Sequence, residues 1–203
     1  MDPGETMRQN SALPEFWETR YLSGVTPWDS SQCPPEVLDY IGRQAPGLPT
    51  LVPGCGSAVE VAHMVTRGLK VLAVDFSDAA VKAACEQLGT LSEGRVVMRD
   101  FFALEEDVPY EWVYERAFLC ALPPALWPDY AAKMARLVSP QGCLAGYFFL
   151  AETPKGPPFG TSLGELQALL GEWFTLETSR SVHSVSPIFQ GREFWQVWRR
   201  RKE

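Results

Sequence analysis

Two glycines and a carboxylate carry the first chemical signal. Gly54 and Gly56 follow the short apolar run Thr50-Leu51-Val52 and precede an amphipathic stretch. A glycine pair between a strand and a helix lets the backbone turn tightly and lets a ligand approach where a Cβ would block it. The helix behind it offers free N–H groups and the positive end of its dipole, which suits a carboxylate or a phosphate. Asp75 lies 21 residues after Gly54, just past a second apolar run, where an acid accepts hydrogen bonds from ribose hydroxyls. Its competing role is that of an acid at the N-terminus of the helix that Ser77 opens.

Together these residues read as a nucleoside-cofactor site. The dinucleotide fingerprint places Gly or Ala at a third position, where this chain has Val59. An adenosine ligand with a small charged tail and no pyrophosphate tolerates that valine better, and S-adenosylmethionine is such a ligand. Asp100-Phe101-Phe102, after a third apolar run, fits the same reading: the acid meets the adenine amino group and an aromatic ring covers its face. Each ring serves equally well as plain core.

The elements that must position these groups alternate. Strands are expected at 50–52, 71–74, 95–98, 112–114, 143–150, 174–182 and 194–198. Helices are expected from Pro14, from Pro35 with Val37, Leu38 and Ile41 on one side, and on the stripe Ala58, Val61, Ala62, Val65. Further helices follow on the stripe Val81, Ala84, Cys85, Leu88, from Pro123-Pro124 with Trp127, Tyr130, Met134 and Val138 aligned, and from the capping-box pattern Ser162-x-x-Glu165 to Gly171. Strands alternating with helices imply an α/β sandwich on a mostly parallel sheet, with ligands beyond the carboxyl ends of the strands.

With 203 residues and 46% hydrophobic content, the chain is expected to form one domain over 1–203, loose at 1–13. A net charge of −7 argues against nucleic acid or an anionic membrane as partner. The basic run Arg199-Arg200-Arg201-Lys202 reads as a solvated tail. No apolar run approaches the ~20 residues of a membrane helix, and the N-terminus lacks a secretory stretch, so a cytoplasmic location is expected. Five cysteines without a Cys-x-x-Cys pair and only two histidines, His63 and His183, point to reduced thiols and no metal site. Cys55, inside the glycine loop, fits packing better than nucleophilic catalysis.

The run Val52-Pro53-Gly54-Cys55-Gly56-Ser57-Ala58-Val59-Glu60 resembles the first motif of the thiopurine S-methyltransferase family and the related halide/thiol methyltransferases, roughly V-P-x-C-G-x-x-x-(D/E). Further matches follow in order: Val74-Asp75-Phe76-Ser77, Asp100-Phe101-Phe102, Tyr114-Glu115-Arg116-Ala117 and Gly156-Pro157-Pro158-Phe159. Phe16-Trp17 and Thr26-Pro27-Trp28-Asp29 look like the family's opening, so the likeness spans 14–199.

The resemblance implies a Rossmann-like three-layer sandwich with a seven-stranded, mostly parallel sheet whose last strand is antiparallel. It implies S-adenosylmethionine as cofactor, S-adenosylhomocysteine as product, and a small-molecule acceptor taken by a monomer or weak homodimer. Helices within 14–45 would cover the cofactor, with Trp17, Tyr21 and Trp28 near the sulfonium as a cation–π face. Gly54 and Gly56 would hold the methionine end, Asp75 and Phe76 the ribose side, and Asp100, Phe101 and Phe102 the adenine. Arg116 would stand near cofactor and acceptor as the catalytic candidate. Trp28, Phe149, Pro158 and Phe159, with Phe148 and Trp127 nearby, would enclose a soft nucleophile. Glu115 departs from the family's aspartate by one methylene.

No dedicated base is evident beyond His183, which lies between the two late strands. An anionic thiolate or halide needs none. The remaining alternatives are an NAD-dependent oxidoreductase, an O- or N-methyltransferase, and a module that binds the cofactor without turnover.

Overall fold

The computed structural model describes residues 10–30, 32–105 and 107–202. The expected strands form, as β1 (Pro49–Pro53), β2 (Lys70–Asp75), β3 (Val96–Met98), β4 (Tyr110–Arg116), β5 (Val138–Phe149), β6 (Phe174–Ser181) and β7 (Glu193–Arg200). They make one seven-stranded sheet in the order β3-β2-β1-β4-β5-β7-β6. Pairing from β3 to β5 is parallel, and β7 runs antiparallel to both β5 and β6.

The continuous apolar runs are explained by burial on both faces, as parallel strands require. Leu51, Val113 and Leu144 pack on one side of the sheet, while Val52, Trp112, Tyr114 and Ala145 pack on the other. Gly146 pairs with Glu115 across β4 and β5, and a Cβ there would overlap the Glu115 carbonyl.

Among the described residues, six α-helices flank the sheet: α1 (Pro14–Leu22), α2 (Pro35–Gly42), α3 (Val59–Thr66), α4 (Asp78–Leu88), α5 (Trp127–Leu137) and α6 (Leu163–Leu170). α2, α3 and α4 cover one face through Val37, Ile41, Val61, Met64, Ala84 and Leu88. α5 and α6 cover the other through Tyr130, Met134, Leu166 and Leu170. Full burial of such a side chain is worth about 1.5–3 kcal/mol, so each helix is held by its stripe rather than by propensity. The Ser162–Glu165 capping box forms, with Glu165 N–H donating to Ser162 Oγ at 3.2 Å and Ser162 N–H to Glu165 Oε2 at 2.7 Å.

Four expected stripes shift, the first in α3, where Val61 and Met64 are buried, Ala62 and Val65 stay half-buried and Ala58 precedes the helix. Leu38 is exposed, because α2 turns only Val37 and Ile41 inward. α4 buries Ala79, Ala80, Ala84 and Leu88, leaving Val81 and Cys85 half-buried at its flank. Val138 is the first residue of β5 rather than the end of α5, since it pairs with Tyr110 of β4.

Residues 1–9 of the segment expected to be loose lie outside the described residues. Within 10–13, Ser11 is buried and its carbonyl accepts from Trp17 Nε1 at 2.8 Å. Among the described residues, no helix is long and apolar enough to cross a membrane.

Candidate active site

The strand order reverses at β1, and a crevice is expected beyond the carboxyl ends there. A cavity of about 630 Å³ occupies that place. Its floor is the glycine loop after β1, Asp75 and Phe76 at the end of β2, Asp100 after β3, Arg116 ending β4 and Phe149 ending β5. α1 and the loop after it bring Trp17, Tyr21, Trp28 and Asp29 over the opening.

Gly54 and Gly56 take φ of +57° and +51°. A Cβ on Gly54 would stand 2.5 Å from the Phe118 ring, and one on Gly56 would stand 2.6 Å from Tyr21 Oη. Both glycines are therefore demanded by conformation and by close approach. The Asp75 carboxylate accepts Gly56 N–H at 3.2 Å on Oδ2 and Ser77 N–H at 3.0 Å on Oδ1. Each oxygen keeps further acceptor capacity toward the cavity. Burial pushes Asp75 up to about 6, against the pull of those amides.

α1 is latched to α4. Ser77 caps α4 by accepting Ala80 N–H at 3.1 Å, and its hydroxyl donates to Glu18 Oε2 at 2.7 Å. Glu18 also accepts Ala79 N–H at 2.9 Å. Above the loop, Trp28 Nε1 donates to Tyr21 Oη at 3.2 Å, and Trp17 meets Trp28 edge-on at 5.3 Å between centroids. Asp29 is tied to the glycine loop by Ser57 Oγ at 3.0 Å, and its burial pushes its carboxyl above the ordinary range.

Arg116 is paired rather than free. Its Nη1 donates to Glu60 on α3, and Nε lies 3.9 Å from Glu193 on β7. Burial works against its charge, but Glu60, Tyr114 and Glu193 outweigh that and hold the guanidinium above its usual range. Arg116 lines the cavity, but its Nη2 is buried and has no hydrogen-bond partner.

Glu115 points to the opposite side of β4. It accepts the N–H groups of Phe118 and Leu119 at 2.9 and 3.0 Å and Tyr130 Oη at 2.7 Å. It thereby folds the 117–122 segment, which presents Ala117, Phe118 and Leu122 to the cavity.

The sequence-predicted set comes together with exceptions. Trp17, Tyr21, Trp28, Gly54, Gly56, Asp75, Phe76, Asp100, Phe101, Phe102, Arg116, Phe149 and Pro158 all line the cavity. Phe101 also belongs to the core, packed on Phe118 at 5.1 Å. Asp100 accepts Phe102 N–H at 2.9 Å, capping a short turn. Phe159 does not line the cavity: its N–H is held by the Cys120 carbonyl at 2.7 Å, and its ring folds over Gly156 toward a separate small void beside Glu115. Phe148 is turned into the core on the α5 face, and Trp127 Nε1 is bound to the carbonyls of Leu119 and Leu122. His183 is exposed and absent from the lining. Burial raises the Cys55 thiol, which removes the thiolate a nucleophile needs. Glu18, Asp29, Glu60 and Glu193 were not singled out in the sequence. Two of them had a signal: Asp29 in the Trp28-Asp29 pair, and Glu60 at the acidic position that closes the first motif.

The family model for thiopurine S-methyltransferase (TPMT) matches residues 12–201. The chain belongs to the thiopurine S-methyltransferase family. It is 31% identical over 188 residues to the thiopurine S-methyltransferase of Pseudomonas fluorescens, covering 81% of this chain and 84% of that protein. It is 30% identical over 159 residues to a probable thiol methyltransferase 2 of Arabidopsis thaliana, covering 76% of this chain and 70% of the relative. Among solved structures, the Burkholderia thailandensis 1,6-didemethyltoxoflavin-N1-methyltransferase, bound to S-adenosylhomocysteine, matches at a TM-score of 0.75 and 17% identity, covering 100% of this chain and 92% of that one. That likeness concerns the fold, the Rossmann-like sandwich of methyltransferases. Family membership makes the chain an S-adenosylmethionine-dependent methyltransferase acting on small molecules. The site fits that cofactor: a buried guanidinium with an unpartnered Nη2, a glycine loop that leaves no room for a Cβ, and a strand-end acid with spare acceptor capacity.

Proposed function

We propose that this enzyme methylates a small soft nucleophile, a thiol above all, by direct in-line displacement. The observation that carries the reading is the composition of the acceptor end of the cavity. Phe149, Phe189, Trp28 and Pro158 wall it, and neither histidine reaches it. A nucleophile that is already anionic needs no base. It needs a dry, apolar wall that strips its water and aims it.

Bound S-adenosylmethionine supplies an electrophilic methyl on a sulfonium. In this reading Gly54 and Gly56 let the backbone approach the methionine end, and Asp75 holds the ribose hydroxyls through its remaining lone pairs. Asp100, Phe101, Phe102 and Phe76 frame the adenine. Trp17, Tyr21 and Trp28 close over the sulfonium, with Tyr21 held 6.0 Å from Trp28 between centroids. Arg116, held by Glu60, brings a guanidinium beside the cofactor carboxylate or the incoming anion. The relatives' names, thiol, thiocyanate and thiopurine methyltransferases, support a sulfur acceptor.

The test is a methyl-transfer screen over thiols, halides, thiopurines and phenols, reading S-adenosylhomocysteine release. Turnover of thiols above phenols of equal size is expected. Turnover confined to phenols or amines would overturn the reading.

A further inference from the structure

The charges that line the cavity are mixed in sign toward β1 to β3, where Arg99 and, from α1, Arg20 stand among four carboxylates, and of one sign over β5 and β7. Asp100 follows β3, Asp75 ends β2, and Asp29 and Glu60 stand against the glycine loop after β1. Arg116, neutralised by Glu60 and Glu193, marks the middle at β4. Beyond it, over β5 and β7, the lining charges are Lys155 and Arg192 alone. At ~4.8 Å per strand, Arg192 stands roughly three strand spacings from β1, past the cofactor's end of the crevice.

Arg192 is aimed by its surroundings. Its Nη2 donates to the Ile188 carbonyl at 2.9 Å, and its guanidinium lies 5.3 Å from the Phe149 ring centroid. Its own carbonyl accepts Leu150 N–H at 2.8 Å, so the segment that carries Lys155 departs beside it. That segment is closed by Ala151 N–H to the Thr161 carbonyl at 3.0 Å and by Gly160 N–H to Thr153 Oγ1 at 2.8 Å. Among the described residues, neither Lys155 nor Arg192 has a carboxylate partner. Glu193, next in sequence, is buried and turned to Arg116, and Glu152 does not line the cavity.

Two unpaired cations at one end of an apolar crevice, on a chain of net charge −7, focus a positive potential where the acceptor must sit. We infer that Lys155 and Arg192 form an acceptor subsite for an anionic substituent: the natural acceptor is a soft nucleophile that also carries a carboxylate. The inference rests on the thiol-methyltransferase reading for which end holds the acceptor. Arg192 supplies a planar, doubly donating partner for the carboxylate, and Lys155 a mobile charge from the facing segment. The aromatic stem of such an acceptor would lie against Phe149, which Arg192 already covers.

The experiment compares 4-mercaptobenzoate with 4-mercaptobenzamide, near-isosteres that differ in the charge at one end. Their affinities for the enzyme–S-adenosylhomocysteine complex are measured by calorimetry, and kcat/KM is measured with S-adenosylmethionine. The wild type, Arg192→Gln, Lys155→Gln and the double variant are compared. The carboxylate should bind at least tenfold more tightly than the amide in wild type, with the preference shrinking as salt is added. It should fall toward unity in the double variant. The ratio is read within each variant, so a general loss of folding or of cofactor binding cancels. Equal affinities in wild type, or a preference that the double variant keeps, would overturn the subsite. If both thiols are methylated without preference, the subsite fails and the thiol reading stands. If neither is methylated although the carboxylate binds preferentially, the subsite stands and the thiol reading fails.

Discussion

Ser77 Oγ donates to Glu18 Oε2 at 2.7 Å, joining α1 to the N-terminus of α4 across 59 residues of chain. The same carboxylate oxygen takes Ala79 N–H, so an acid from another element satisfies the first turn of α4 and sits at the positive end of its dipole. Since α1 carries Trp17 and Tyr21, the lid over the glycine loop is set by the element that follows the strand-end acid Asp75. The floor of the cavity and its cover are thus one hydrogen-bonded unit.

Glu18→Ala should release that unit. Losing hydrogen bonds to a charged group costs ~1.5–3 kcal/mol, here in the docking of α1. The expected result is a tenfold or larger loss of S-adenosylmethionine affinity by calorimetry, with faster proteolysis between α1 and α2. Unchanged affinity together with an unchanged digestion pattern would show that α1 is held by Phe16 and its neighbours instead.

That latch marks the limit of what local sequence could reveal. β1, β2 and the glycine loop were legible because their signals are local: an apolar run, a positive-φ glycine pair, an acid at the strand end. The start of β5 was not. The apolar period of α5 runs on into Val138 with no Gly or Pro to stop it, and only pairing with Tyr110 decides that the chain extends there. Glu18 is a surface-type acid whose partner lies far along the chain. Phe159 sits in a motif that places the backbone correctly, but the ring's side is set by its amide's bond to Cys120. Arg192 and Lys155 come from two connecting segments, and only the sheet order puts them at one end of the crevice.

Asp75 should make cofactor binding pH-dependent. Burial lifts its folded-state value to about 6, so the unliganded protein carries a proton there at mildly acidic pH. The ionised form is the better acceptor for ribose hydroxyls, so affinity should rise as pH increases through about 6 and level off above 7. Asp75→Asn should weaken binding by ~1.5–3 kcal/mol at pH 8 and remove the slope. Calorimetry from pH 5 to 8 checks both, and a slope that persists in the variant would assign it to another group.

Glu115 should make stability fall with rising pH. Burial raises its folded value to about 7 from an ordinary 4.5, against the donors on Leu119, Tyr130 and Phe118. Between those values the folded state binds more protons than the unfolded state, so its contribution declines as pH rises through the window and is constant above it. The full shift corresponds to about 3 kcal/mol. Glu115→Gln keeps an acceptor for the two amides and cannot ionise. Relative to wild type it should gain stability between pH 5 and pH 8 in denaturant melts. A gain by the wild type over the same range would mean that the three donors outweigh burial.

Gly56→Ala tests how tightly the lid sits on the loop. The new methyl would meet Tyr21 Oη at 2.6 Å, and the backbone there has φ of +51°. Two costs are therefore combined: a left-handed alanine, about 1 kcal/mol, and a clash with the Tyr21 hydroxyl over the glycine loop. They separate in a double variant. Tyr21→Phe removes the hydroxyl and its bond from Trp28, which by itself should weaken cofactor binding only a few-fold. In the Gly56→Ala background the same change should recover part of the lost affinity, because the overlap is with the oxygen. A double variant no better than Gly56→Ala alone would place the whole cost in the backbone and leave Tyr21 free to move aside.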